Sequence, residues 1–138
     1  MKLMLDSSFL IGLFIQNDQW HHKSMLMGNI IDNNETHITD AVLNETLNAL
    51  TETDGKKLYM IFEKLIKTNK ISIVKNIDTY TEIADICLNY DSSIGYADCS
   101  ILYFMEKNNI THILSFDEHF DKASNVVRIH EKNYKNFE

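Results

Sequence analysis

The sequence predicts an α/β fold in which helices cover both faces of a parallel β-sheet. Short apolar runs rich in Ile, Val or Leu occur five times, and longer segments with helical periodicity lie between them. Strands that alternate with helices form parallel sheets joined by right-handed crossovers. The predicted strands are Lys2–Leu5, Thr36–Thr39, Ile71–Val74, His112–Ser115 and Val126–Ile129.

The helical segments lie between these strands. The first repeats apolar side chains at helical spacing, at Phe9, Leu10, Leu13 and Phe14. Asp40 is expected to cap the helix that follows the second strand. The chain contains no proline, so the boundaries depend on glycine, asparagine and changes of period. The predicted helices are Ser8–Ile15, Trp20–Asp32, Asp40–Thr53, Lys56–Thr68, Thr79–Asn89 and Ile94–Lys107, with a short helical turn near Asp117–Ala123.

Length and composition limit the class of protein. A chain of 138 residues with 44% hydrophobic residues is typical of one globular domain, so we expect a single domain over residues 1–138. No apolar run approaches the ~18 residues that span a bilayer. The start, MKLMLD, meets an acid at once and lacks the apolar region of a signal peptide. We therefore expect a cytoplasmic protein whose two cysteines, Cys87 and Cys99, are reduced thiols.

The charge is negative overall but unevenly distributed. A formal net charge of −7 argues against a protein that coats nucleic acid, but it permits an enzyme that approaches nucleic acid through metal ions. The only arginine is Arg128, which leaves little for bidentate recognition of bases or phosphates. One lysine-rich segment contains a single acid, Glu63, and is either a solvated helix face or a phosphate-contacting patch. Its lysines are Lys56, Lys57, Lys64, Lys67, Lys70 and Lys75.

Two acids follow predicted strands. Asp6 comes directly after the first strand, and Asp117 lies two residues after the fourth. In open α/β sheets a site forms beyond the carboxyl ends of the strands, where both acids are placed. For Asp117 alone, the alternative is a helix N-cap or first-turn acid stabilised by the helix dipole.

Two further acids lie on predicted helices near the same edge. Asp98 falls in an apolar stripe with Ile94, Ile101, Leu102 and Met105. An ionised aspartate is almost never fully buried without a partner, and no lysine or arginine lies within a turn or two. Glu45 borders the apolar side of its helix, which permits either the rim of a cleft or a solvated surface position.

Four carboxylates at one sheet edge repel one another unless a cation binds between them. Oxygen ligands favour Mg²⁺ or Mn²⁺ over zinc, and two such ions could activate a water and stabilise the leaving oxygen of a phosphodiester. The hydroxyls of Ser8 and Ser115 would orient a ligand there, or they are a helix-start and a strand-end serine. His21, His22 and His37 lack zinc-site spacing, and His119 is expected at the surface of its turn.

Other chemistries find less support in the sequence. The glycines are scattered and form no phosphate-binding loop, since they stand at Gly12, Gly28, Gly55 and Gly95. A Gly-x-Ser-x-Gly nucleophile elbow is also absent.

Three stretches resemble, in order, segments of the PIN-domain nucleases. They are MLDSSFLIGLF, ITDAVLNETLNAL and IGYADCSILYFMEKNNITHILSFDEHF. The resemblance covers essentially the whole chain, and the spacing is similar to that of short PIN proteins of the VapC toxin type. It implies a three-layer α/β/α fold with a five-stranded parallel sheet of order 3-2-1-4-5.

The resemblance also implies a function and a set of site residues. The acid quartet of the family matches Asp6, Glu45, Asp98 and Asp117, and its small polar residues match Ser8 and Ser115. The implied activity is Mg²⁺- or Mn²⁺-dependent cleavage of RNA by a homodimer that an antitoxin restrains. Contact with RNA is expected at the basic segment, through Lys56, Lys57, Lys64 and Lys67.

Two alternatives remain open at the level of sequence. One is a stand-alone PIN nuclease in rRNA or mRNA processing, and the other is a catalytically silent PIN scaffold that binds RNA or a partner protein. The intact acid quartet argues against the scaffold. Three further acids, Asp91, Glu118 and Asp121, lie near the site in sequence and either substitute for a ligand or are simply solvated.

Overall fold

The computed structural model describes residues 1–52, 56–74, 79–91 and 93–138. Within these residues, a five-stranded sheet has the order β3-β2-β1-β4-β5, and every neighbouring pair is parallel. This confirms the predicted sheet and its 3-2-1-4-5 order. The strands are β1 (Lys2–Leu5), β2 (Glu35–Thr39), β3 (Ile71–Val74), β4 (His112–Leu114) and β5 (Val127–Ile129).

The central strand β1 shows why the sheet is covered on both faces. Leu3, Met4 and Leu5 are consecutive and are completely buried, so side chains that point to opposite faces are equally hidden from solvent. Leu3 pairs with Thr36 of β2 on one side and with His112 of β4 on the other. The unbroken apolar run therefore fixes β1 at the centre of the sheet.

Helices connect the strands at the predicted places. They are α1 (Ser7–Phe14), α2 (His21–Leu26), α3 (Asn29–Asn33), α4 (Asp40–Glu52), α5 (Lys56–Lys67), α6 (Tyr80–Asn89) and α7 (Tyr96–Lys107). Short 3₁₀ helices follow at Glu118–Lys122 and Tyr134–Phe137, and the second of these is not predicted by the sequence pattern. Thr53, the last residue of the predicted third helix, lies outside the described residues.

One predicted helix is wrong. The segment Trp20–Asp32 forms two helices, because Met27, with φ −98° and ψ 1°, leaves helical geometry just before Gly28. A glycine inside a helix costs roughly 0.5–1 kcal/mol, which lowers the cost of a break at this point. The break also buries Met27 and Ile30, which are 1% and 0% exposed.

A second correction concerns the start of α4. The predicted cap is Asp40, but Asp40 is already the first helical residue. Thr39 supplies the cap instead, because its Oγ1 accepts a hydrogen bond from the Val42 N–H at 3.3 Å.

The helices α1 and α2 approach closely at Gly12. A Cβ at this position would lie 2.5 Å from Ser24 Oγ and 3.0 Å from Trp20 Cβ. The Ser24 hydroxyl itself donates to the Phe9 carbonyl at 3.1 Å, which ties the two helices together. The absence of a side chain at Gly12 therefore lets Trp20 lie against α1.

Other expectations concern the surface and the thiols. No helix among the described residues combines the length and apolar character needed to cross a bilayer. Cys87 is half-buried and Cys99 buried, and both are free thiols, as predicted.

Candidate active site

Asp6 lies where β1 ends and α1 begins, and it is only 5% exposed. Its backbone N–H donates to the Leu114 carbonyl at 3.1 Å, which joins the end of β1 to the end of β4. Its Oδ2 accepts hydrogen bonds from Ser115 Oγ at 2.7 Å and Ser8 Oγ at 2.8 Å. These bonds offset part of the cost of burying a carboxylate, yet burial still raises the pKa of Asp6.

The two serines link Asp6 to the segment that follows β4. Ser115 Oγ accepts the Asp117 N–H at 2.9 Å, and Ser8 Oγ accepts the Phe116 N–H at 3.1 Å. Each hydroxyl therefore donates to Asp6 and accepts from the backbone that carries Asp117. The geometry supports a role in holding Asp6 beside the segment that carries Asp117, and Ser8 also lines a cavity together with these two acids.

Asp98 lies in the first turn of α7, with its side chain 21% exposed. The helix begins two residues later than predicted, so Asp98 is nearer the positive helix end than its sequence position suggested. Burial raises the pKa of Asp98 to about 7, and the negative charges of Asp6 and Asp117 add to the rise. His119 opposes the rise. A nearby cation would stabilise the ionised form of such a carboxyl group.

Asp117 has both of the roles considered from the sequence. It caps the 3₁₀ helix Glu118–Lys122, because its Oδ1 accepts the His119 N–H at 2.9 Å. The same carboxylate lines the cavity that Asp6 and Asp98 also line. The N-cap interpretation and the site interpretation are therefore compatible.

His119 was expected at the surface, and its side chain is indeed 52% exposed. Its imidazole is nevertheless directed at the acids: Nδ1 lies 3.2 Å from Asp117 Oδ1 and 3.7 Å from Asp98 Oδ2. In the sequence, this contact corresponds to the spacing Asp117-x-His119. Asp117 caps the turn, and the His119 side chain two residues later lies near the capping carboxylate.

Glu45 reaches the site from α4. It is exposed, and its Oε2 accepts a hydrogen bond from Ser7 Oγ at 2.6 Å. It lines the same cavity as the three aspartates, at the rim position that the helical wheel permits.

The cavity has a volume of about 430 Å³, and we call it the acidic cavity. Its acidic side consists of Asp6, Glu45, Asp98 and Asp117. A second side comes from the loop between α1 and α2, which the sequence pattern did not single out. That side is formed by Asp18, Gln19 and Trp20 of this loop, together with Ile11 of α1.

Trp20 is held rigidly in this wall. Its ring stacks on Phe116, with centroids 4.6 Å apart and an interplanar angle of 8°. Lys23 Nζ lies 4.9 Å from the ring centroid, and Asp18 Oδ2 accepts the Trp20 N–H at 2.9 Å. These contacts hold the Trp20 ring against Phe116 in the wall of the acidic cavity.

The three additional acids do not line the acidic cavity. Asp121 is instead paired with Arg128, through Nε–Oδ1 and Nη2–Oδ2 bonds of 2.9 Å each. This hydrogen-bonded pairing lowers the pKa of Asp121. Arg128 Nη1 also donates to the Ser115 carbonyl at 3.3 Å, so the arginine holds the 3₁₀ helix against the end of β4. Asp91 and Glu118 are exposed or partly exposed.

The basic segment lies apart from the acidic cavity, on α5. Lys56, Lys57 and Lys64 surround a shallow apolar depression formed with Met60 and Ile61. Lys67 pairs with Glu63 one turn earlier, at 2.9 Å. These lysines are not among the residues that line the acidic cavity, and Lys75 falls outside the described residues.

The donor atoms fit a divalent cation. Asp98, Asp117 and His119 each offer one ligand atom, and these atoms lie within 4.8 Å of one another. Carboxylate oxygens with one imidazole nitrogen are a donor set for Mn²⁺ or a related first-row ion, and the carboxylates alone suit Mg²⁺.

Comparisons with solved structures agree with this architecture. VapC20 of Mycobacterium tuberculosis, a toxin that cleaves the sarcin–ricin loop, matches with a TM-score of 0.77 and 17% identity over 93% of this chain and 98% of its own. A chain of VapBC2 from Rickettsia felis, solved with a DNA fragment from the promoter, matches with a TM-score of 0.67 and 14% identity over 94% of this chain and 98% of its own. A sequence search of curated proteins found no match.

The family model of the PIN domain matches residues 3–126. That range contains α1–α7, β2–β4, all of β1 except Lys2, and the acids of the cavity. On this match, the chain belongs to the PIN domain family.

Proposed function

We propose that this protein is a metal-dependent endoribonuclease that hydrolyses RNA phosphodiester bonds, and that it is the toxin of a toxin–antitoxin pair. The observation that carries the proposal is the acidic cavity: Asp6, Glu45, Asp98 and Asp117 line one cavity beyond the carboxyl ends of the central strands. A cluster of acids with raised pKa values is costly, and a bound cation relieves that cost.

The ion is proposed to be Mg²⁺ or Mn²⁺, held by Asp98 and Asp117 with Asp6 and Glu45 around it. A divalent cation supplies Lewis acidity at such a site, stabilising negative charge on phosphate oxygens and making water a better nucleophile. The two serine hydroxyls have a different role, which is to orient a carboxylate. Ser8 and Ser115 orient Asp6 through bonds of 2.8 and 2.7 Å, so that little reorganisation is needed when the substrate arrives.

RNA contact is proposed at two places. The wall with Gln19 and Trp20 lies beside the acids and would contact the nucleotide next to the scissile bond. Lys56, Lys57, Lys64 and Lys67 are proposed to contact phosphates further along the strand. The packing of α5 against α4, which carries Glu45, supports this second assignment.

The partners follow from the family and the fold neighbours. We infer a cytoplasmic homodimer that a cognate antitoxin restrains, and a single domain over residues 1–138. The likeness to VapC20 and to VapBC2 supports the toxin class over a processing nuclease, and the complete acid quartet argues against a silent scaffold. A housekeeping nuclease would be tolerated when expressed alone, whereas a toxin would stop growth unless its partner is co-expressed.

The activity is tested by incubating the purified protein with a panel of structured RNAs, in buffer that contains Mg²⁺, Mn²⁺ or a chelator. Wild-type protein should cleave at defined positions with metal and not with chelator. The Asp6→Asn variant should lose cleavage, and Asp32→Asn, an exposed acid on α3, is the matched control that should retain it. Metal-independent cleavage, or cleavage unaffected by Asp6→Asn, would contradict the proposal.

A further inference from the structure

His119 places an imidazole nitrogen beside the two acids that form the candidate metal site. Its Nδ1 lies 3.2 Å from Asp117 Oδ1 and 3.7 Å from Asp98 Oδ2. One ligand atom from each of Asp98, Asp117 and His119 lies within 4.8 Å of the other two. The imidazole is half exposed, so no packing constraint in the core explains this orientation.

Hydrogen bonds hold the turn that carries His119. Asp117 caps the 3₁₀ helix by accepting the His119 N–H at 2.9 Å, which sets the two residues in one tight turn. Arg128 then anchors that helix, through its bonds to Asp121 and to the Ser115 carbonyl. His119 therefore lies on a short helix that hydrogen bonds hold against the end of β4.

The spacing of the three atoms agrees with ligation of one ion. Adjacent ligands of an octahedral ion with bond lengths of roughly 2.1 Å lie about 3 Å apart. The observed separations of 3.7 Å from Asp98 Oδ2 and 3.2 Å from Asp117 Oδ1 are close to that value. An imidazole is also the side chain that binds transition metals most often in proteins.

We propose that His119 is a ligand of the metal bound by Asp98 and Asp117, and that its nitrogen makes the site prefer Mn²⁺ over Mg²⁺. This inference rests on the proposed function and refines it. Mg²⁺ takes oxygen ligands and retains its waters, whereas first-row transition ions accept imidazole readily. The site is then a mixed oxygen–nitrogen site, not the oxygen-only site that the acids alone predict.

A competing explanation for the position of His119 is that it pairs with the two carboxylates as a cation. A protonated His119 would neutralise the two carboxylates in place of the metal. The explanations predict opposite effects of removing the imidazole: metal affinity falls if His119 is a ligand and rises if it competes with the ion.

The test is electron spin-echo envelope modulation of untagged protein loaded with Mn²⁺. Wild-type protein should show the ¹⁴N modulation of a coordinated imidazole, and His119→Asn should lose it. His22→Asn removes an exposed histidine on α2 and is the matched control that should keep the signal. Melting-temperature titrations with Mn²⁺ and Mg²⁺ on the same samples measure affinity separately from catalysis.

The Mn²⁺ affinity of His119→Asn should fall at least as much as the roughly 10- to 100-fold loss known for outer-shell partners of metal ligands. Its Mg²⁺ affinity should stay within about twofold of wild type. His119→Gln is a second variant, should the first fold poorly. Absence of ¹⁴N modulation in wild type, its persistence in both variants, or a rise in Mn²⁺ affinity would overturn the inference. Only a wild-type protein that binds neither ion would also contradict the proposed function.

Discussion

At the scale of single residues, a charge in an apolar setting was the most informative feature of the sequence. Asp6 and Asp98 could be predicted because each interrupts a run or stripe of buried apolar residues, and such an acid needs a partner. His119 could not be assigned in this way. It lies in a polar turn, and its contact with Asp98 depends on how α7 approaches the end of β4.

The first prediction at this scale separates catalysis from structure at Asp98. Replacing this partly buried, repelled carboxylate by a neutral amide relieves desolvation and repulsion from Asp6 and Asp117. In metal-free buffer, Asp98→Asn should therefore unfold at the same denaturant concentration as wild type or a higher one. It should also lose most of the proposed RNA cleavage, since it lacks a carboxylate that we propose as a metal ligand.

Asp85→Asn is the control for this comparison, because Asp85 is an exposed acid on the neighbouring helix α6. A structural acid would behave in the opposite way. If Asp98→Asn lost more than about 2 kcal/mol of stability yet still cleaved RNA when folded, the ligand role would be wrong.

The raised pKa of Asp98 gives a prediction about pH. A group whose pKa is higher in the folded than in the unfolded protein stabilises the fold as long as it is protonated. For Asp98 this stabilisation is complete below the ordinary pKa of 3.8, and it is lost as the pH rises through about 7. The loss is at most about 1.4 kcal/mol for each pH unit between the two values. Without metal, wild-type protein should therefore lose stability relative to Asp98→Asn between these pH values, in urea melts at successive pH. Parallel stability curves for the two proteins would contradict the shift.

At the scale of elements, the strands were predictable and the helix junctions were not. The run Leu3–Leu5 is typical of a buried strand, and the structure buries it completely in β1. The break between α2 and α3 comes at Met27 and Gly28, just before the buried Ile30. Helical periodicity alone does not reveal a break at this point. The wall with Trp20 was missed for a similar reason, because it forms only when α2 packs on Gly12.

Gly12→Ala tests that helix contact. The new Cβ would meet Ser24 Oγ at 2.5 Å, and the Ser24 side chain is fully buried and bonded to Phe9. Overpacking of this kind costs about 1–3 kcal/mol, so the melting temperature should fall. Gly28→Ala is the control, since its Cβ would make only an ordinary contact of 3.5 Å with the Met25 carbonyl. Equal stability of both variants and wild type would show that α1 and α2 are not closely packed.

The pairing of Arg128 with Asp121 gives a second prediction for an element. Arg128→Lys cannot make both bonds to Asp121, so the 3₁₀ helix that carries His119 should loosen. Asp121 is half exposed, and the expected loss of stability is therefore only about 1 kcal/mol. The Mn²⁺ affinity should fall as well, although Arg128 itself does not line the acidic cavity.

Glu63→Gln is the control for this prediction, because it breaks the exposed Glu63–Lys67 pair far from the 3₁₀ helix in sequence. Denaturant melts and Mn²⁺ titrations should show no change for this control. A normal Mn²⁺ affinity in Arg128→Lys would mean that the pairing does not position the site.

At the scale of the whole molecule, the acids come together because of the topology. The sheet order places β1 between β2 and β4, so Asp6 follows the central strand and meets Glu45 from α4 and the segment with Asp117 after β4. This convergence could be predicted from strand order and acid positions. Asp6, Glu45, Asp98 and Asp117 contribute four negative charges to the formal net charge of −7.

The measurement that tests this account most directly is the anomalous scattering of Mn²⁺ in a crystal of the protein. We expect an anomalous peak in the acidic cavity, within about 2.2 Å of a carboxylate oxygen of Asp98 and of Asp117. The same experiment on Asp98→Asn crystals should show the peak lost or much weaker. A wild-type crystal with no peak in this cavity, grown from protein that cleaves RNA in Mn²⁺, would contradict the account.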